Sequence, residues 1–228
     1  MENRVFKKIN SFTEVLSKHL SFSGKVVVDI GCGTGDIVRW LAAQGSHVTG
    51  LDLPELIEKA QQVNKVGDEN YIVGTAQELP FNSNYADLII FLASFHHVPE
   101  NHMSTTLEKC YDILKSKGHL VIIEPVLQED SYYQLTRLVE EEVEIQKKAY
   151  YFVKNLSVDK FQSKIEEFYY VERSFQDFVN LINIYVTDKK LNEKILQQAK
   201  QVVKNKNEQI ETVKFQSRAR LNILMKND

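Results

Sequence analysis

The chain has 228 residues, 43% of them hydrophobic and 26% charged, with a formal net charge of −3. That balance suits one globular domain, or a domain with a small appendage, and offers no general basic surface for nucleic acid. No apolar run approaches the roughly 20 residues that span a bilayer, the first ten residues lack the apolar centre of a secretory signal, and Cys32 and Cys110 give no disulfide framework, so a cytoplasmic setting is expected.

Residues 25–30 form a β-branched run that ends in a glycine loop. Residues 36–44 then read as a helix closed by Gly45, 47–51 as a second strand, and 54–64 as a second helix with Pro54 in its first turn. Short strands follow at 70–73 and 86–92, a helix at 101–115, and a fifth strand at 118–124. Strands that are apolar throughout and separated by helices indicate a parallel sheet covered on both faces. No strand is expected between 126 and 168. Residues 137–156 place Leu138, Ile145, Ala149, Phe152 and Leu156 at helical spacing, opposite Glu140, Glu141, Glu142 and Glu144 on a solvated face. A strand at 169–175, helices at 177–184 and 188–204, and a closing strand at 218–225 complete the series.

Chemistry concentrates after the first strand. Asp29 ends it, and Gly31, Gly33 and Gly35 follow at alternate positions. Glycine tolerates positive φ and leaves no Cβ between a ligand and the backbone. The helix that follows turns its amides and the positive end of its dipole toward the crevice where open α/β sheets bind ligands. Asp52 ends the next strand, about 20 residues further on. Its carboxylate suits both hydroxyls of a ribose; it also suits a helix N-cap. Cys32 reads either as a reactive thiol or as a small residue tolerated in a tight turn.

In order, Val26-Val27-Val28-Asp29-Ile30-Gly31-Cys32-Gly33-Thr34-Gly35, Asp52, Gly74-Thr75-Ala76-Gln77-Glu78-Leu79-Pro80-Phe81, Asp87, Ala93-Ser94-Phe95-His96-His97-Val98 and Glu124-Pro125 resemble the motifs of class I S-adenosylmethionine (SAM)-dependent methyltransferases. The likeness is to the ubiquinone/menaquinone C-methyltransferase-like branch and covers residues 22–125. It implies an α/β, Rossmann-like, mainly parallel seven-stranded sheet with helices on both faces, an antiparallel last strand and a helical cap inserted after strand five. The whole chain, 1–228, would be one methyltransferase domain: a SAM-binding core at 22–125, the cap at 126–168, and closing strands and helices at 169–228. SAM would be the cofactor, held by Asp29, Gly31, Cys32, Gly33, Gly35, Asp52, Leu53, Thr75, Ala76, Gln77 and Ser94. The family usually carries Asp where this chain has Thr75, a shorter and neutral hydrogen-bond partner for adenine.

The acceptor would be a small organic molecule. His96 and His97 are candidate general bases, since imidazole titrates near pH 6.5, or hold the loop instead. In an extended chain the two would point to opposite sides, leaving one toward the acceptor. Glu124 either binds substrate or caps its loop. Seven of the ten tyrosines lie between 132 and 185; Tyr132, Tyr133 and Tyr150 are the candidates to line the acceptor pocket, with helix-packing core as their alternative. His96, His97 and His102 lack helical i, i+4 spacing and a carboxylate set, so no metal is expected. A monomer or a homodimer is expected. The rival readings are an RNA methyltransferase, supported by Lys200, Lys204, Lys206 and Lys214, a nicotinamide-dependent oxidoreductase, and a non-catalytic SAM-binding regulator or partner subunit.

Overall fold

The computed structural model describes residues 5–126, 132–139, 142–205 and 209–228. The elements run β1 (Phe6–Lys8), α1 (Phe12–His19), β2 (Val26–Ile30), α2 (Asp36–Ala43), β3 (His47–Asp52), α3 (Pro54–Gln61), β4 (Asp68–Val73), β5 (Ala86–Leu92), α4 (Glu100–Ile113), β6 (Leu114–Pro125), α5 (Tyr133–Thr136), α6 (Val143–Lys154), β7 (Phe161–Ser174), α7 (Phe175–Tyr185), α8 (Lys189–Asn205) and β8 (Lys214–Lys226). Among the described residues the strands form one sheet in the order β1-β7-β8-β6-β5-β2-β3-β4.

The sheet therefore has eight strands where the sequence predicts seven, and the additional one is β1. Its three residues include Lys7 and Lys8, so no apolar alternation announces it. It pairs in parallel with β7, Phe6 opposite Phe168. The pairs β2·β3, β2·β5, β3·β4 and β5·β6 are also parallel. The end of β6 meets the early part of β8, where the Val126 amide donates to the Arg218 carbonyl (2.9 Å), so these two strands run antiparallel, as the resemblance implies.

Adjacent Val27 and Val28 are both fully buried, so both faces of β2 are covered. The chain divides into two compact units. The larger holds residues 12–124, 144–167 and 220–228. Its core joins Val28, Ile30, Ile89, Phe91, Met103 and Leu107 to Ala149 and Val153 of α6. The smaller holds the described residues within 1–11, 125–143 and 168–219. Its core is aromatic, with Tyr132, Phe175, Phe178 and Phe215 packed among Leu135, Ile182, Ile195 and Ala199.

Two expectations for the later half need correction. The stretch 126–168 contains strand, because β7 begins at Phe161. Glu166, Glu167 and Lys164 obscure the alternation there; Glu167 is held by His19 of α1, Nε2 to Oε2 at 3.1 Å. The helix read at 137–156 is shorter, with α6 confined to Val143–Lys154 and α5 a separate turn of helix; Glu140 and Glu141 lie outside the described residues. Among the described residues no helix is long and apolar enough to cross a membrane.

Candidate cofactor and acceptor site

The glycine loop sits at the carboxyl end of β2, between β3 and β5. Gly31, Gly33 and Gly35 all have positive φ, at 76°, 55° and 85°. Two of them lack a Cβ because the protein fills the space. A Cβ on Gly31 would lie 2.4 Å from Ser94 Cβ, and one on Gly35 would lie 2.6 Å from the Tyr71 hydroxyl. Gly33 differs, because among the described residues nothing lies within 4 Å of where its Cβ would be. Backbone is thus laid open at the one glycine of the three that neighbouring side chains do not crowd.

Two carboxylates, Asp52 and Asp29, share this sheet edge. Asp52 Oδ2 accepts the Gly33 amide at 2.6 Å, and its Oδ1 accepts the Leu53 amide at 2.7 Å. The N-cap of α3 is Leu53, so Asp52 does not cap that helix. Each carboxylate oxygen retains acceptor capacity for an incoming hydroxyl. Asp29 is 2% exposed, and its Oδ1 has no hydrogen-bond partner among the described residues. Burial, with the Asp52 charge adding to it, pushes the Asp29 carboxyl up to about 7. A buried carboxyl left short of a donor is a vacancy for a cationic or donor group. Burial also pushes the Cys32 thiol up, with Asp29 and Asp52 adding to the effect, so this cysteine is a small packed residue rather than a nucleophile.

Gly74 donates its amide to the Asp52 carbonyl (3.0 Å), which brings Thr75, Ala76 and Gln77 to the same edge. Thr106 of α4 donates to the Ala76 carbonyl at 3.2 Å, and Lys109 reaches the Gln77 carbonyl. Thr75 is exposed. Asp87, at the opposite end of β5, accepts the Val26 amide and the Lys115 ammonium, both at 2.8 Å. Burial opposes its ionisation, but Lys115 and the Val26 amide hold its carboxyl below the ordinary value.

The loop after β5 lies beside the glycine loop. Ser94 donates its hydroxyl to the Ile30 carbonyl at 2.6 Å and supports Gly31 from behind. Ala93 is held at φ 52°, a conformation that stores strain in a residue with a Cβ, by donating its amide to the Ile123 carbonyl (2.7 Å). Phe95–His97 form a turn of 3-10 helix rather than an extended segment, so the two histidines are not on opposite sides. Their rings lie 4.1 Å apart, tilted by 42°. His96 is buried, with Nδ1 on Glu124 Oε2, while Glu124 Oε1 accepts the Phe95 amide at 2.9 Å; His97 is exposed. A carboxylate at Nδ1 fixes the tautomer and the ring orientation of His96.

The tyrosines expected at the acceptor pocket belong to different units. Tyr132 packs in the core of the smaller unit, edge-on to Phe178, and burial pushes its phenol up. The side chain of Tyr133 lies outside the described set. Tyr150 belongs to the larger unit, where its hydroxyl donates to Glu166 Oε1 at 2.9 Å and the Arg220 guanidinium lies 3.5 Å from its ring centre. Lys200, Lys204 and Lys214 are exposed, the first two on the polar side of α8, and Lys206 lies outside the described residues.

Sequence reasoning overlooked Arg39 and Tyr71. Arg39 Nη1 donates to the Thr34 carbonyl at 2.9 Å and reaches the Tyr71 hydroxyl at 3.3 Å, and Nη2 meets Asp36 Oδ1 at 2.6 Å. One signal was available: a cation near the start of a helix opposes the macrodipole and needs a reason to be there.

Residues 28–122 match the methyltransferase domain family. The demethylmenaquinone methyltransferase of Thermotoga maritima is 30% identical over 141 residues, which are 53% of this chain and 60% of that protein. The ubiquinone biosynthesis O-methyltransferase of Marinobacter nauticus is 28% identical over 113 residues, 47% of each chain. The chain thus spans about half to three-fifths of the length of these relatives. The crystal structure of a SAM-dependent methyltransferase from Methanosarcina mazei shares the fold, with a TM-score of 0.60 and 14% identity over 96% of this chain and 99% of that one. With its glycine loop, its Asp52 and its sheet order, the segment 28–122 is similar to the methyltransferase domain family, and the fold is shared with the Methanosarcina mazei structure.

Proposed function

We propose that the chain binds SAM at the carboxyl edge of β2, β3 and β5 and transfers its methyl group to a small organic acceptor. The observation that carries this reading is the combination at one edge of an open Gly33 backbone, an Asp52 carboxylate with acceptor capacity to spare, and a buried Asp29 oxygen lacking a donor. These match the parts of SAM: a ribose diol for Asp52, and an ammonium for the electronegative end formed with Asp29. Thr75, Ala76 and Gln77 would receive the adenine, and the bonds of Thr106 and Lys109 to the Ala76 and Gln77 carbonyls support this reading. Leu53 and Cys32 complete the walls.

SAM supplies a methyl already activated on a sulfonium, so the protein's task is to hold the acceptor close and in line. His97, exposed beside His96, is the group we assign to take a proton from an acceptor that has one to lose. His96 and Glu124 would position that turn. Tyr150 is retained as the acceptor-side aromatic. The names of the two relatives, in menaquinone and ubiquinone chemistry, support a small organic acceptor. We further propose that the whole chain acts as one methyltransferase domain in the cytoplasm, as a monomer or a homodimer, without a nucleic-acid partner.

Calorimetric titration with SAM, and with NAD as control, tests the cofactor; transfer of labelled methyl to phenolic acceptors and to RNA tests the acceptor class. Micromolar SAM binding without NAD binding supports the reading. NAD binding, or transfer to RNA alone, overturns it.

A further inference from the structure

The glycine loop has an anchor on each side. On one side the Gly33 amide donates to Asp52; on the other the Thr34 carbonyl accepts from Arg39, and between them the Gly35 amide closes a turn onto the Cys32 carbonyl at 3.0 Å. Three glycines in the left-handed region over five residues make this loop costly to order, so its anchors matter. The two anchors are not equivalent once a ribose arrives. Asp52 must then share its oxygens between the Gly33 amide and the ligand, whereas Arg39 approaches from the helix side and need not. Its side chain is 14% exposed, against 86% for Asp36, so the ion pair between them is screened and the bond to the Thr34 carbonyl is the stronger tie. Tyr71, 8% exposed on β4, backs the guanidinium with its hydroxyl and closes the space beside Gly35.

Building on the SAM-binding reading, we infer that Arg39, braced by Tyr71, is the positioning residue that keeps the Gly33–Gly35 turn in its binding conformation while Asp52 is engaged by the cofactor. It touches the loop from behind and acts through it, so it is not a catalytic residue. Preorganisation of this kind raises affinity by reducing the ordering that binding must otherwise supply.

The test uses Arg39→Met, which keeps the aliphatic stem, together with Arg39→Lys and Tyr71→Phe. SAM affinity is measured by calorimetry, and amide hydrogen exchange is followed at Gly33 and Gly35 and along β2 and β5. The expected result for Arg39→Met is affinity weakened about tenfold to a hundredfold, the effect of a lost charge-assisted bond. Exchange at Gly33 and Gly35 accelerates while β2 and β5 exchange as in the parent. Arg39→Lys, which keeps a cation on this face, recovers part of the affinity, and Tyr71→Phe loses about threefold, as a single long bond to a neutral hydroxyl at 3.3 Å implies. Parent-like affinity in Arg39→Met overturns the inference, as does acceleration spread equally through β2 and β5, which marks general destabilisation. If the parent protein binds no SAM, the cofactor reading fails, and exchange at Gly33 and Gly35 alone then decides whether Arg39 holds the turn.

Discussion

Replacing Asp29 by asparagine removes a charge that the fold accommodates poorly. Asp29 is buried with one oxygen unpartnered, and burial beside Asp52 raises its pKa from 3.8 to about 7. An acid whose pKa is raised in the folded state keeps its proton there while the unfolded chain has lost it. Its contribution is most favourable to the fold below about pH 4 and is lost as pH rises through about 7. At about 1.4 kcal/mol per tenfold change in proton affinity, the interval from 3.8 to about 7 amounts to ~4 kcal/mol of destabilisation at pH 8. Asparagine has nearly the same shape and carries no charge at any pH. Asp29→Asn is therefore expected to stabilise the ligand-free protein by about 4 kcal/mol at pH 8 and by only about 1–2 kcal/mol at pH 5, where the unfolded chain has lost the proton but the folded chain keeps it. Urea denaturation at both pH values measures this, read through Trp40. That residue is the chain's single tryptophan and lies edge-on to Phe22 in the larger unit, with ring centres 5.1 Å apart. On the proposed cofactor reading the same variant should also bind SAM more weakly, because the carboxylate assigned to the ammonium is gone. A parent-minus-variant difference that is equal at pH 5 and pH 8 would refute the reasoning, since it would show that Asp29 does not titrate between them.

Asp52→Ala removes the Gly33 anchor and the proposed ribose acceptor, so SAM affinity should fall by about 2–4 kcal/mol in calorimetry; unchanged affinity removes Asp52 from the site. Gly31→Ala places a methyl 2.4 Å from Ser94 Cβ in a backbone with φ 76° and should lower stability by about 2 kcal/mol or more, measured by urea denaturation. Glu124→Gln takes the charged acceptor from both His96 and the Phe95 amide in a buried setting, and is expected to cost about 3 kcal/mol in thermal and urea unfolding; a parent-like protein would show that the pair is dispensable. His97→Ala should lower turnover on a protic acceptor at least tenfold with SAM affinity intact, a split that a purely structural role for this exposed residue would not produce.

What the chain shows in its sequence is what it does locally. Residues 26–30 are nearly all β-branched, and the loop that follows carries its glycines in consecutive alternate positions, so strand, turn and ligand edge can be read together. Asp52 is legible because a parallel strand pair places the ends of two consecutive strands side by side, as the register Ile30 opposite Leu51 shows. What escapes is whatever depends on residues meeting across the sheet. Tyr71 reaches Arg39 from β4, and Glu124 reaches His96 from the end of β6; neither partner is near in sequence. The opposite-sided placement expected of His96 and His97 does not hold, because the strand's two-sided geometry stops where the chain turns into 3-10 helix. Tyr132 was chosen for its polar tip, yet the aromatic neighbours Phe178 and Phe215 draw it into a core.

Phe6 of β1 pairs with Phe168 of β7, so β1, which precedes β2 to β6 in the chain, has its partner in a strand that follows them all. Until that segment is made, the β1 residues have no strand to join, while β2 to β5 already have their neighbours within residues 26–125. The smaller unit, assembled from segments far apart in the chain, closes a long loop, and such contacts form slowly. The region that holds the glycine loop can thus begin to fold during synthesis, and the β1 edge must be completed after most of the chain is made.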